Sequence, residues 1–266
     1  MKSIKSLIDL NGRVALITGG SGYLGKVIAN ALAEMGCSIC LVDKANTLNS
    51  ALDEIKLHTN IKVLGLDIDL EYEENRKKIP SLIEDHFGRL DILVNNAAFV
   101  GDNNLSGWAT NFENQELSSW RKALEVNLTA AFHLSQLLSP LLKISENGSI
   151  INIGSIYGVV GPDLKLYEDT KMANPAAYAA SKGGLIQLTR WLSTVLAPNI
   201  RVNCISPGGI KRRQPIEFIE RYISKTPLRR MGTEEDLKGA VVFFASDLSS
   251  YVTGENLMVD GGWTVW

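Results

Sequence analysis

"RVALITGGSGYLGKVIANAL", residues 13–32, runs from the strand-like stretch Val14 to Thr18 through a glycine cluster into a helix-patterned segment. That order lets backbone N–H groups and a helix N-terminus approach a pyrophosphate. Gly19, Ser21, Gly22, Tyr23, Leu24 and Gly25 are therefore candidate cofactor contacts. A glycine-rich turn is also what an ordinary tight βα connection needs, so a second feature has to decide. The next apolar run ends at Asp43, 18 residues beyond Gly25, where a carboxylate accepts hydrogen bonds from an adenosine ribose. The two together predict a bound dinucleotide. The carboxylate opposes a 2′-phosphate and favours NAD over NADP, although Lys44 offers such a phosphate a partner. Asp67, closing "LGLDID" ahead of Ile68, reads equally as an adenine contact or a helix N-cap.

Outward from this unit the alternation continues. "SICLVD" precedes a helical pattern at 47–58, "KVLGLD" one at 71–86, and "LDILVNN" one at 117–143. "GSIINI" precedes a helix at 175–195, "IRVNCIS" one at 234–245, and "NLMVD" closes the series. The expected fold is α/β, a Rossmann-type doubly wound parallel sheet of about seven strands with helices on both faces. Residues 1–266 read as one domain, and ligands are expected beyond the carboxyl ends of the strands.

With 27 basic against 29 acidic residues, the chain carries no bulk signal of a nucleic-acid or membrane-surface binder, and a small-molecule substrate is expected. The N-terminus lacks the apolar run of a signal peptide, and no apolar stretch is long enough to span a bilayer, which points to the cytoplasm. Three cysteines suit a reducing compartment. Cys37 and Cys40 lie on a strand, where a three-residue offset separates Cα atoms by roughly 10 Å, too far for a disulfide. No metal cluster is expected, and His58, His86 and His133 carry no catalytic argument.

Tyr178 and Lys182 in "AYAASKGGL" fall one helical turn apart on one face, where an ammonium favours tyrosinate and brings a phenol towards neutral working pH. Such a pair alone is commonly a solvated helix surface. The same chain also carries "TGGSGYLG", "NNAA" at 95–98, "EVNL" at 125–128, "INIGS" at 151–155 and "SPGGI" at 206–210, in order. In that ordered set the sequence resembles the single-domain short-chain dehydrogenase/reductase family over essentially its whole length.

The resemblance implies Tyr178 as general acid/base, with Lys182 lowering its pKa and holding the nicotinamide ribose. It implies Ser155 orienting the substrate oxygen and Asn127 holding a water in a proton relay. Asn95 and Ala97 would sit beside the cofactor, and Pro207, Gly208 and Ile210 beside the nicotinamide. Each has a bland alternative: a turn cap for Ser155, a polar helix residue for Asn127, a plain loop for "PGG". The family also implies a homo-oligomer, a tetramer or dimer, built through the helices after strands four and five. Two departures stand out. Tyr23 takes the place of the usual middle glycine, with Gly22 as substitute contact, and Ala98 replaces the glycine of NNAG.

A third departure is length. Ser155 and Tyr178 are 23 residues apart, where the family usually has about a dozen, so roughly 159–175 is an insertion beside the substrate mouth. It reads as a specificity loop for a polar substrate or as a solvated excursion, and Tyr157, Tyr167 and Gly209 are the candidate substrate contacts. "SIYG…PD…YE…T…M…P…Y…K" is also similar to oxidoreductases of flagellin-modification and legionaminic-acid pathways, which implies a sugar or amino-sugar derivative and carbohydrate metabolism. The Asn-rich segment 99–115 could complete a polar pocket, and Lys211, Arg212 and Arg213 are either solvated or anion-binding. Two alternatives remain: an NADPH-dependent 3-ketoacyl reductase, and a non-catalytic dinucleotide sensor.

Overall fold

The computed structural model describes residues 1–44, 48–57, 61–101 and 105–266. His58 and the Asp102–Asn104 part of the Asn-rich segment lie outside the described residues. The described residues form seven strands: β1 Val14–Thr18, β2 Ser38–Asp43, β3 Val63–Asp67, β4 Ile92–Asn95, β5 Gly148–Ile153, β6 Ile200–Pro207 and β7 Asn256–Val259. They form one sheet in the order β3-β2-β1-β4-β5-β6-β7, with every pairing parallel. The helices between them are α1 Ile4–Ile8, α2 Tyr23–Glu34, α3 Leu48–Ile55, α4 Glu73–Arg76, α5 Ile79–Phe87, α6 Leu117–Leu124, α7 Ala130–Ile144, α8 Ala176–Val195, α9 Ile216–Lys225 and α10 Lys238–Ala245.

The period-2 geometry of β1 sorts its side chains into two cores. Ala15 and Ile17 pack with Ile28 and Leu32 of α2, Ala51 and Ile55 of α3, and Val241 and Phe244 of α10. Val14 and Leu16 pack on the opposite face with Ile79 and Ile83 of α5, Leu134 and Leu138 of α7, and Leu192 of α8. Burial on both faces explains why these strands read as continuous apolar runs. The chain winds outward from β1 to β3 and then returns to β4 beside β1, so the loops after β1 and β4 part and open a crevice.

The helical pattern at 71–86 resolves into α4 and α5, with Pro80 in the first turn of the second. The pattern at 117–143 is α6 and α7 joined by a π-helical turn, Glu125–Thr129, that contains Asn127. Two helices escaped the sequence reading: α1, and α9, whose Ile219, Tyr222 and Ile223 share one face. Cys37, Cys40 and Cys204 are all free and buried, and burial holds their thiols well above the ordinary range.

The insertion is not a solvated excursion. Its one 3₁₀ turn, Leu164–Tyr167, is capped by the Asp163 side chain, and Leu166 is fully buried in a cluster with Ile156, Phe218, Ile219 and Tyr222. Arg221 on α9 donates to the Glu168 carbonyl, and Lys225 pairs with Asp163. The segment is thus clamped to α9.

Gly25 tests the glycine turn most sharply. A Cβ there would lie 2.1 Å from the Gly19 carbonyl oxygen and 2.8 Å from the Gly20 Cα, both backbone atoms. At Gly22 the nearest such atom is 3.4 Å away. Overpacking at this level costs roughly 1–3 kcal/mol. Gly25→Ala is expected to lower Tm by several degrees in a thermal melt while Gly22→Ala leaves it nearly unchanged. Equal melting of the two variants would contradict the close approach.

Candidate active site

The two loops at the crevice are stapled by Thr18 and Asn96. Thr18 Oγ1 accepts from the Asn96 and Ala97 backbone N–H groups, each at 3.0 Å, and Asn96 Nδ2 donates to the carbonyls of Thr18 and Gly19 at 2.9 and 3.1 Å. Between them opens a cleft of about 590 Å³. Gly19, Gly22, Tyr23, Leu24 and Gly25 line one end, with Ala97 on the floor. Gly19 adopts φ +61°, and a Cβ there would approach the Ala97 Cα at 2.9 Å. Only a glycine keeps this passage open.

Asp43 and Ile68 line the cleft beside the carboxyl ends of β2 and β3. Asp43 Oδ2 accepts from Ser21 N at 3.0 Å and Ser21 Oγ at 2.6 Å, and its Oδ1 accepts from Lys44 N at 2.8 Å. Lys44 Nζ is paired with Asp69 at 2.8 Å, and each group holds the other charged: the hydrogen bond raises the Lys44 pKa, while at Asp69 burial opposes the lowering by Lys44. The opposite wall carries Pro207, Gly208 and Ile210.

Ser155, Tyr178 and Lys182 meet on the cleft wall between β5 and α8. Ser155 caps the 3₁₀ turn Ile156–Gly158 by accepting from Tyr157 N at 3.2 Å, and it hydrogen-bonds to Tyr178. Lys182 is 2 % exposed and donates from Nζ to the Ile153 carbonyl at 2.7 Å, with the same Nζ 5.8 Å from the Tyr178 ring centroid. Desolvation pulls its pKa down to about 8. The expected lowering of the Tyr178 pKa is not observed: burial pushes the phenol up, and the Ser155 hydrogen bond opposes this in part. An ammonium that is itself desolvated and committed to a carbonyl has little field left for the phenol. Tyr178 is therefore protonated at neutral pH and suited to donate its proton.

Several expected contacts lie elsewhere. Ser21 is buried behind the glycine turn and serves Asp43 rather than the cleft. Asp67 stands exposed at the end of β3, and Ile68, Asp69 and Leu70 make the wall in its place as the chain turns over the strand end. Asn95 is in the core, donating to Asn152 Oδ1 at 2.8 Å, because it lies inside β4 rather than in the loop after it. Asn127 spends its side chain on Phe99 N at 2.6 Å, the Phe99 carbonyl at 3.2 Å and Ser181 Oγ at 3.0 Å. It braces the substrate-side loop against α8, in a π-helical turn of the kind that concentrates at functional sites.

On the substrate side, Gly209 faces away from the cleft and packs on Tyr222, whose hydroxyl accepts from Gly209 N at 2.6 Å. Tyr157 and Tyr167 do not line the cleft; their hydroxyls bond each other at 2.6 Å. Beside both phenols lies the Asn174 amide, its polar atoms buried and its side chain close enough to each hydroxyl to lower that phenol's pKa against the larger upward push of burial. The sequence reading missed Thr18, Asn96 and Asn174, although "NNAA" already contained Asn96.

Lys182 yields a pH prediction. Its folded pKa of about 8 lies below the ordinary 10.5, so between those values the unfolded chain binds more protons and stability rises with pH. Relative to Lys182→Met, the wild type is expected to gain up to about 3 kcal/mol across that window in denaturant titrations. A difference that stays flat with pH would show that the ammonium is not desolvated.

The comparisons with known proteins converge on one family. A family model described as enoyl-(acyl carrier protein) reductase matches residues 21–264. A tropinone reductase homolog of Arabidopsis thaliana is 35% identical over 266 residues, covering 97% of this chain and 94% of that protein. A 3-oxoacyl-[acyl-carrier-protein] reductase of Thermotoga maritima is 32% identical over 261 residues, covering 95% and 98%. Among solved structures, a short chain dehydrogenase from Leptospira borgpetersenii with bound NAD+ superposes with TM-score 0.82 at 35% identity, covering 99% of this chain and 96% of that one. An NADPH-dependent 3-quinuclidinone reductase from Rhodotorula rubra superposes with TM-score 0.88 at 26% identity, covering 100% and 96%. With the seven-stranded parallel sheet, the glycine-lined cleft and the Ser155, Tyr178 and Lys182 group already in place, these matches show that the chain belongs to the short-chain dehydrogenase/reductase family of NAD(P)-dependent oxidoreductases.

Proposed function

We propose that the protein is an NAD(H)-dependent oxidoreductase acting on a secondary alcohol or ketone of a polar substrate, a sugar or amino-sugar derivative. The observation that carries the reaction is the meeting of Ser155, Tyr178 and Lys182 on one wall of the cleft. When bound, the nicotinamide supplies or accepts a hydride at C4. Ser155 holds the substrate oxygen, and Tyr178, protonated at neutral pH, donates its proton to that oxygen in the direction of reduction. Lys182 lies over the Tyr178 ring at the base of the same wall, where it supports the phenolate left behind.

Two observations support NAD. A 2′-phosphate would meet the Asp43 carboxylate, and Lys44, next in the chain, is held by Asp69. The Asn174 amide, a polar group on the segment inserted between Ser155 and Tyr178, supports a polar substrate. Its neighbours Tyr157 and Tyr167 add two hydroxyls to the same polar patch. A second reading, reduction of a 3-oxoacyl thioester, draws on the relative of that name and on an open groove bearing Lys171, Arg212 and Arg213. An acidic phosphopantetheine arm would suit such a groove.

Tyr178→Phe is expected to bind NADH as the wild type does and to lose about 10²–10⁴ in kcat. Undiminished turnover would remove Tyr178 from the chemistry. Asn174→Leu is expected to raise KM for a keto-sugar while leaving NADH affinity unchanged. Preference for NADPH together with rapid reduction of 3-oxoacyl thioesters would replace the sugar reading with the acyl one.

A further inference from the structure

Two loops far apart in sequence touch across the mouth of the cleft through side chains that the reaction does not use. Tyr23 opens α2 with its side chain turned outward, 66% exposed. The Arg212 guanidinium carbon lies 4.5 Å from the centroid of its ring. On its other side Arg212 Nε donates to Glu234 Oε1 at 2.8 Å. The backbone beneath is pinned: Arg212 N donates to Gln214 Oε1 and Gln214 Nε2 to the Ile210 carbonyl, both at 2.7 Å, and Lys211 N donates to the Gly232 carbonyl at 2.8 Å. Arg212 and Tyr23 line the same cleft as Gly19 and Gly22.

We propose that Arg212 is a ligand for the pyrophosphate of the dinucleotide and that Tyr23 is the aromatic rest that holds its guanidinium over that group. The inference depends on the dinucleotide reading above. Its argument is one of unspent donors. Arg212 carries five N–H groups in a planar fork; Nε goes to Glu234, one face goes to Tyr23, and no described residue accepts from Nη1 or Nη2. Those two nitrogens are the pair that grips two phosphate oxygens in parallel. Among the described residues Glu234 is the one acidic group in contact with the guanidinium, and its charge is already paired there.

A flexible arginine loses much of its rotamer freedom when it binds an anion. Here the aromatic face, the carboxylate and the Gln214 turn have ordered it beforehand, so less is lost. This also gives Tyr23 a purpose at a position where the family usually places glycine. A glycine there lets backbone alone approach the pyrophosphate, whereas Tyr23 trades that approach for a cation carried across from the loop after β6.

The test is calorimetric titration of NADH, ADP and adenosine into the full chain and its variants, each first checked for an unchanged melting temperature. Arg212→Ala is expected to weaken NADH and ADP by about 10- to 100-fold and to leave adenosine unchanged. Tyr23→Ala is expected to weaken NADH by about threefold or more, and Tyr23→Phe, which keeps the ring, by less than twofold. NADH binding that Arg212→Ala leaves as in the wild type would overturn the pyrophosphate contact alone, as would an equal loss of adenosine. A wild type that binds neither NADH nor NADPH would overturn the dinucleotide reading and the contact with it.

Discussion

Lys182 gives up its hydration to reach the Ile153 carbonyl at the carboxyl end of β5, and the surroundings leave it no alternative. A Cβ on Gly158 would stand 2.7 Å from the Lys182 backbone carbon, so the turn carrying Ser155 rests directly on α8. From the other side, Asn127 bonds Ser181, the residue before Lys182, and holds Phe99 in the loop after β4. Beneath, a Cβ on Gly154 would meet Ser206 Oγ and Cys204 Sγ of β6 at 2.6 and 2.8 Å. The ammonium on β5, the Asn127 bridge to the loop after β4 and the glycine contacts together fix the height and rotation of α8 against the sheet. Tyr178, one turn earlier on that helix, inherits its position from these contacts.

Burying an ammonium is unfavourable, and the depressed pKa of Lys182 records this. The fold tolerates it because the rest of the structure over-determines the site. The two apolar layers on either side of the sheet hold β4, β5 and β6 in register independently of it. The cost of desolvation is thus concentrated at the Ser155, Tyr178 and Lys182 group and is supported elsewhere, and perturbed titratable groups of this kind cluster at functional sites.

Most of the fold was legible because its signals are local. Period-2 and period-3.6 patterns located the seven strands of the sheet, and its parallel, doubly wound character followed from the βαβ alternation. The helix α9 was missed because its apolar face is sparse and the basic run before it reads as loop. A residue's place in the cleft was legible where it is set by one local segment, as for Gly25, Asp43, Tyr178 and Lys182. It was illegible where the role depends on what lies across a gap. Asn95 and Asn96 are adjacent and chemically identical; only the end of β4 decides that the first enters the core and the second staples the crevice. Likewise the pattern could place Tyr178 beside Lys182 but could not show that burial outweighs the ammonium.

The insertion shows how such a gap is bridged. It leaves the chain next to Ser155 and returns at Tyr178, yet its anchors are Phe218, Ile219, Arg221 and Lys225 on α9. That helix in turn follows the Ile210–Gln214 turn that carries Arg212 to Tyr23. The insertion and the turn that carries Arg212 are therefore both tied to α9, through Leu166 and through the Tyr222 hydroxyl that accepts from Gly209 N. A displacement of α9 large enough to admit a ligand at one end has to shift the contacts at the other. Close-packed clusters of this kind move as units rather than deforming continuously. The length added between Ser155 and Tyr178 is thus built into the fold: through α9 it is tied to the turn that brings Arg212 to the cleft.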